Sequence, residues 1–127
     1  MIALFVYGTL LTGEANFSVV EPYVLSVRPG TVRGALYDAG AYPGLVLSGR
    51  EERLVLGEWL ILRDEGLAET DRLEEYYGPG APNNDYERVW IRDAGNEERE
   101  GWVYVWNGSR GFPRISEGSW RRRYKLQ

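Results

Sequence analysis

The chain contains no histidine and no cysteine. Those absences remove the usual general base near neutral pH, the usual zinc ligands and every Ser-His or Cys-His nucleophile pair. Any chemistry must come from carboxylates, tyrosines, Ser/Thr hydroxyls and backbone amides. The segment from Leu67 to Tyr77 offers a carboxylate in an unusual place. Projected at 100° per residue as a helix, Leu67, Thr70, Leu73 and Tyr77 fall on one side. Glu69, Arg72 and Glu75 fall on the other, with Ala68 and Tyr76. Glu74 projects into the middle of the apolar side with Asp71 at its edge, whereas Glu75 faces solvent. Desolvation raises the pKa of a carboxyl among apolar neighbours, so that it can serve as base and then acid near neutral pH. Spacing alone leaves Glu74 open to two readings on even terms, a proton carrier or half of a buried ion pair with an arginine.

Few elements are available to position such a group. One segment reads strongly as a helix, from about Asp64 to Tyr77, with Asp64 capping its start and Glu65 in the first turn. Ile2 to Val6 is a short apolar run that predicts a buried strand entering a turn at Tyr7-Gly8-Thr9-Leu10. Gly13 to Tyr23 reads as a loop plus a short helix, with Pro22 as a breaker. Val27 to Tyr37 and Arg53 to Leu62 have strand-forming residues, and Ala41-Tyr42-Pro43-Gly44-Leu45 between them has turn chemistry. Tyr86 to Arg92 and Gly101 to Trp106 alternate and are joined by Asp93-Ala94-Gly95-Asn96, which predicts a hairpin. Gly78 to Asn84 is an irregular loop. The expected fold class is α+β, a compact mixed β-barrel or sheet with few helices. Five Trp and nine Tyr supply a large aromatic core or a pocket wall.

The 127 residues are expected to form a single domain, 1–127, with a core that needs no staples. Net charge is −4 and Lys125 is the only lysine. A mildly acidic chain is poorly suited to tracking phosphate backbones, so no nucleic-acid partner is expected. The run Arg121-Arg122-Arg123-Tyr124-Lys125 reads as a solvated C-terminus rather than a polyanion-binding tail. No segment has the length and apolarity of a membrane span, and the opening residues lack a signal peptide's basic start. The cytoplasm is the expected compartment.

Taken together, the motifs resemble the gamma-glutamyl cyclotransferase-like superfamily, especially its small members related to gamma-glutamylamine cyclotransferase. Phe5-Val6-Tyr7-Gly8-Thr9-Leu10, followed by Gly13 and Asn16, is similar to that family's Tyr-Gly-Ser/Thr-Leu loop. Tyr42-Pro43-Gly44 resembles its next turn, and Gly57-Glu58-Trp59 its Gly-Glu-aromatic strand. Asp71-Arg72-Leu73-Glu74 matches the Asp-x-x-Glu that ends on the catalytic acid–base glutamate. Tyr86-Glu87-Arg88 resembles the Tyr-x-Arg of the following strand, and Ile115 to Trp120 the Ser-Gly-Asp-Trp tail of bacterial relatives. Three departures stand out: Glu75 where the family usually has Gly, Thr70 for a leucine, and Glu117-Gly118-Ser119 for Ser-Gly-Asp.

The resemblance implies a small-molecule γ-glutamyl substrate, no cofactor and no metal. In such relatives the α-amine of the substrate attacks its own γ-carbonyl, giving 5-oxoproline and a free amine. It implies Glu74 as general acid and base, and Tyr7, Gly8, Thr9, Leu10, Tyr42, Tyr86 and Arg88 as substrate-binding residues. Each of these has a plainer alternative: Gly8 as a strand-ending turn, Tyr7 as packing, Arg88 as a surface strand cation. The competing functional reading is a non-catalytic small-molecule-binding module on the same fold. The Tyr7–Leu10 turn is expected to hold the substrate through main-chain amides, since such a turn can aim several N–H groups at one anion.

Overall fold

The computed structural model describes residues 1–48 and 53–124. Six strands form one mixed sheet in the order β3-β2-β4-β1-β6-β5. They are β1 (Ile2–Val6), β2 (Val24–Asp38), β3 (Pro43–Leu47), β4 (Leu54–Leu62), β5 (Glu87–Arg92) and β6 (Glu100–Val105). Two short helices accompany them, α1 (Phe17–Val20) and α2 (Glu65–Leu73). All pairings are antiparallel except that of β1 with β6.

The long strand β2 explains the curvature. It pairs with β4 from Val24 to Arg33 and then hands over to β3 from Gly34 to Asp38. Pro29 is tolerated because that half of β2 has a partner on one side only. The sheet curls until the Trp106 amide, just past β6, donates to the Leu45 carbonyl of β3 at 2.8 Å. The result is a half-barrel around a core that includes Leu4, Phe5, Trp59, Leu60 and Val103. Phe5 and Trp59 meet edge-on at 5.3 Å, a geometry worth about 0.5–1.5 kcal/mol beyond their burial. No helix among the described residues is long and apolar enough to cross a membrane.

Most expected elements are present, with four corrections. The turn assigned to Ala41–Leu45 ends early, because Pro43 and Gly44 already belong to β3. Asp64 does not cap α2; its carboxylate instead meets the N-terminal ammonium at 2.7 Å. The helix stops at Leu73 rather than Tyr77. Glu75 takes φ 53°, and the amides of Glu75 and Tyr76 bond back to the carbonyls of Arg72 (3.3 Å) and Asp71 (2.9 Å). That is a Schellman closure, with the left-handed residue supplied by Glu75 instead of glycine. Because the helix ends there, Tyr76 turns into the core and Tyr77 out to solvent, the reverse of the helical projection. At the far end, Arg121 and Arg122 are exposed, but Trp120 beside them is buried. Lys125 lies outside the described residues.

Candidate active site

The turn after β1 is pinned from three directions. Gly57 on β4 has no side chain because an added Cβ would lie 2.2 Å from the Val6 carbonyl oxygen. The neighbouring Glu58 accepts from the Thr12 amide and hydroxyl, both at 2.8 Å. Trp59 donates its indole N–H to Asp93 at 2.8 Å. The Gly57-Glu58-Trp59 triplet thus locks the end of β1, the loop beyond it and the β5–β6 hairpin to one strand. Within the loop, the Asn16 amide donates to the Thr9 carbonyl (2.8 Å) and its side chain to the Thr9 hydroxyl (2.9 Å).

What this clamping leaves free is informative. The Leu11 amide donates to the Gly8 carbonyl at 3.1 Å. The amides of Gly8, Thr9 and Leu10 have no hydrogen-bond partner among the described residues. They border a cleft of about 330 Å³, counted with its open mouth. Glu74, Tyr42, Pro43, Tyr86 and Tyr104 line the same cleft.

Three of the wall tyrosines have committed hydroxyls. Tyr7 donates to the Tyr104 carbonyl at 2.7 Å and accepts from the Leu45 amide at 3.3 Å. Tyr86 donates to the Pro43 carbonyl at 2.7 Å. Tyr104 donates to Asp71 at 2.6 Å and lies 2.7 Å from the Thr70 hydroxyl. Burial pushes all three phenols well above the ordinary tyrosine range. They stay protonated at neutral pH and shape the cleft rather than exchange protons. Tyr42, more exposed than these, stands at the mouth with its ring 6.4 Å from both Tyr86 and Trp106.

Glu74 is different. It is the C-cap of α2, partly buried, with its amide bonded to the Thr70 carbonyl at 2.9 Å. Among the described residues its carboxyl has no hydrogen-bond partner and no cation within 4.0 Å. Desolvation, and secondarily the charge of Asp85, raise its pKa to about 7. The ion-pair reading belongs to its neighbour: Asp71 Oδ1 lies 3.3 Å from Arg88 Nε. That approach is close enough for charge attraction but not aligned as a hydrogen bond, so Nε and Nη1 of Arg88 have no hydrogen-bond partner among the described residues. Arg88 is wedged between Tyr76 (5.0 Å) and Trp102 (4.6 Å).

Seven of the eight expected site residues therefore meet in one cleft: Glu74, Tyr7, Gly8, Thr9, Leu10, Tyr42 and Tyr86. Arg88 does not line it and instead braces Asp71 from behind. Tyr104 and Pro43 were missed. Tyr104 alternates with Trp102 on β6 and with Trp106 just past it, an aromatic alternation that marks a wall but not which wall.

The family model for "Gamma-glutamyl cyclotransferase, AIG2-like" matches residues 4–122. This chain belongs to that family. The expectation of an enzyme is met at that level. A relative from Niallia circulans, named gamma-L-glutamyl-butirosin B gamma-glutamyl cyclotransferase, is 42% identical over 127 residues, spanning 98% of this chain and 78% of its own. A protein of Vibrio cholerae serotype O1 bearing a gamma-glutamylcyclotransferase name is 33% identical, with 94% and 96% covered. The crystal structure of an AIG2-like protein from Mus musculus superposes with a TM-score of 0.70 at 24% identity, over 89% of this chain and 84% of that one. The last likeness is one of fold.

Proposed function

We propose that this cyclotransferase-family enzyme closes the glutamyl part of a small γ-glutamyl amide into 5-oxoproline, with Glu74 moving the proton. One observation supports the reading above others: a carboxyl with a pKa near 7 shares a cleft with three amides, and none of the four has a partner among the described residues. The substrate brings its own nucleophile. The site need only fold it so that the α-nitrogen approaches the γ-carbon. Glu74, as carboxylate, takes a proton from the α-ammonium. The new N–C bond forms, and negative charge develops on the γ-oxygen. Collapse breaks the bond to the departing nitrogen as Glu74 returns the proton to it, and the second proton lost by the ring nitrogen leaves with the released amine, which departs as an ammonium. The amides of Gly8, Thr9 and Leu10 suit either the growing oxyanion or the α-carboxylate. No water enters the products, which are 5-oxoproline and a free amine.

A panel of γ-glutamyl amides assayed for 5-oxoproline tests this. Turnover lost in Glu74→Gln, with substrate still bound, is the expected result. Binding of γ-glutamyl amides by the wild-type chain without any 5-oxoproline would establish the non-catalytic module instead.

A further inference from the structure

Glu74 borders two hollows: the cleft above and a second one of about 820 Å³, counted with its open mouth. The titratable groups that line them with it are Tyr7, Tyr42, Tyr86, Tyr104, Glu75 and Asp85, the last paired with Arg110 at 2.9 Å. Among the described residues no hydrogen bond or ion pair holds the Glu74 carboxyl. Its aim is therefore set by the last turn of α2, where the Glu74 amide donates to the Thr70 carbonyl at 2.9 Å. That turn is gripped from outside the helix. Thr70 is wholly buried, and its hydroxyl lies 2.7 Å from the hydroxyl of Tyr104 on β6. Tyr104 has one hydroxyl proton and donates it to Asp71 at 2.6 Å. The Thr70 proton therefore fills the 2.7 Å contact, with the Leu67 carbonyl at 3.0 Å as its second acceptor. Arg88, with Nε 3.3 Å from Asp71, favours the ionised carboxylate that accepts from Tyr104. A leucine at position 70, the family's usual residue, would offer no such donor.

The other half of the site hangs on the same residue. The Tyr104 carbonyl accepts from the Tyr7 hydroxyl at 2.7 Å, and Tyr7 opens the turn that carries the amides of Gly8, Thr9 and Leu10. Tyr104 thus bonds the turn through its main chain and the helix end through its hydroxyl. We propose that Tyr104, gripped by Thr70 and Asp71, is a positioning residue that fixes how far the Glu74 carboxyl stands from those amides. The proposal rests on the cyclotransferase reading above, in which the amides hold the substrate that Glu74 must reach. Placement of this kind matters steeply, since a shift of about 1 Å can cost about 10²-fold in rate.

Two substitutions loosen the grip with little change of shape. Tyr104→Phe removes only the hydroxyl, and Thr70→Val exchanges a hydroxyl for a methyl. Each should lower kcat for 5-oxoproline formation about 10–100-fold, with KM for the γ-glutamyl amide within about twofold of wild type. Thr70→Ser keeps the hydroxyl and should restore the wild-type kcat. Rates are compared under conditions where urea unfolding shows each variant fully folded. Independently of turnover, ¹³C NMR of the Glu74 carboxyl should show its pKa falling from about 7 toward the ordinary glutamate value in Tyr104→Phe and Thr70→Val, as the freed carboxyl meets water. An unchanged kcat in both variants, Thr70→Ser as slow as Thr70→Val, or an unmoved Glu74 pKa overturns the proposal. A pKa that falls in both variants, in a chain whose wild type makes no 5-oxoproline, would support the positioning and overturn the cyclotransferase reading instead.

Discussion

Pro43 lays its ring on the bare Cα of Gly8, so that an added Cβ would lie 2.5 Å from Pro43 Cγ and 2.6 Å from Cδ. Gly8 does not have a positive φ, so the requirement is close packing rather than backbone freedom. The contact joins the amide-bearing turn to β3, whose Pro43 carbonyl in turn anchors Tyr86. Gly44 plays a matching part, leaving room for the Trp106 ring. Gly8→Ala should force the turn and β3 apart, raising KM for γ-glutamyl amides and costing about 1–3 kcal/mol by overpacking. Steady-state kinetics and urea unfolding check the pair; an unchanged KM would show that the turn does not hold substrate.

Glu75 holds a left-handed conformation that glycine adopts without penalty. Glu75→Gly should therefore stabilise the fold by about 0.5–1 kcal/mol, although glycine inside a helix destabilises. Urea midpoints decide. A destabilised variant would mean that the Glu75 side chain contributes more than its backbone costs.

A raised pKa at Glu74 has a stability consequence of definite sign. The folded state holds this proton up to about pH 7, whereas an unfolded glutamate releases it near 4.5. Stability therefore falls as pH rises through that window. Glu74→Gln should unfold at higher temperature than wild type at pH 8, by up to about 3 kcal/mol at 1.36 kcal/mol per unit of pKa. The gain should vanish below pH 4. Calorimetry at the two pH values checks it, and a gain independent of pH would contradict the shift.

Asp93 runs the opposite way. Burial pushes its carboxyl up, but hydrogen bonds from Trp59 and the amides of Thr31, Gly95 and Asn96 more than offset that and leave its pKa lowered. Its contribution is present above the unfolded pKa and is lost as pH falls through the folded one. Asp93→Asn should cost about 1–3 kcal/mol at pH 7, since an amide oxygen cannot serve four donors. The difference from wild type should narrow in strong acid, where both side chains are neutral. A constant difference would assign the loss to packing alone.

How much of this was legible depends on how locally each feature is determined. The apolar run Ile2–Val6 and the alternating arms of the hairpin announce themselves, and every strand but β3 overlaps its expected segment. β3 was hidden because Pro43 and Gly44 are turn residues by propensity, yet they are retained in a strand for their contacts with Gly8 and Trp106. The end of α2 was hidden because its left-handed residue is a glutamate, which reversed Tyr76 and Tyr77. Glu74 was legible because, as the C-cap, it comes before the left-handed Glu75 and keeps the direction of the helical projection. Arg88 was assigned to the substrate from its place in a motif, but which carboxylate an arginine meets is a tertiary fact, here Asp71. Tyr104, Asp85 and the second hollow needed the curled sheet before they could be seen together.

The central claim, proton transfer by Glu74 in an internal cyclisation, is met most directly by 5-oxoproline formation from a γ-glutamyl amide in ¹⁸O-labelled water across pH 5 to 9. The account predicts unlabelled 5-oxoproline, a wild-type rate that rises with pH through an apparent pKa near 7, and a rate lowered about 10²–10⁴-fold in Glu74→Gln. Free glutamate carrying ¹⁸O, or a Glu74→Gln rate close to wild type, would contradict it.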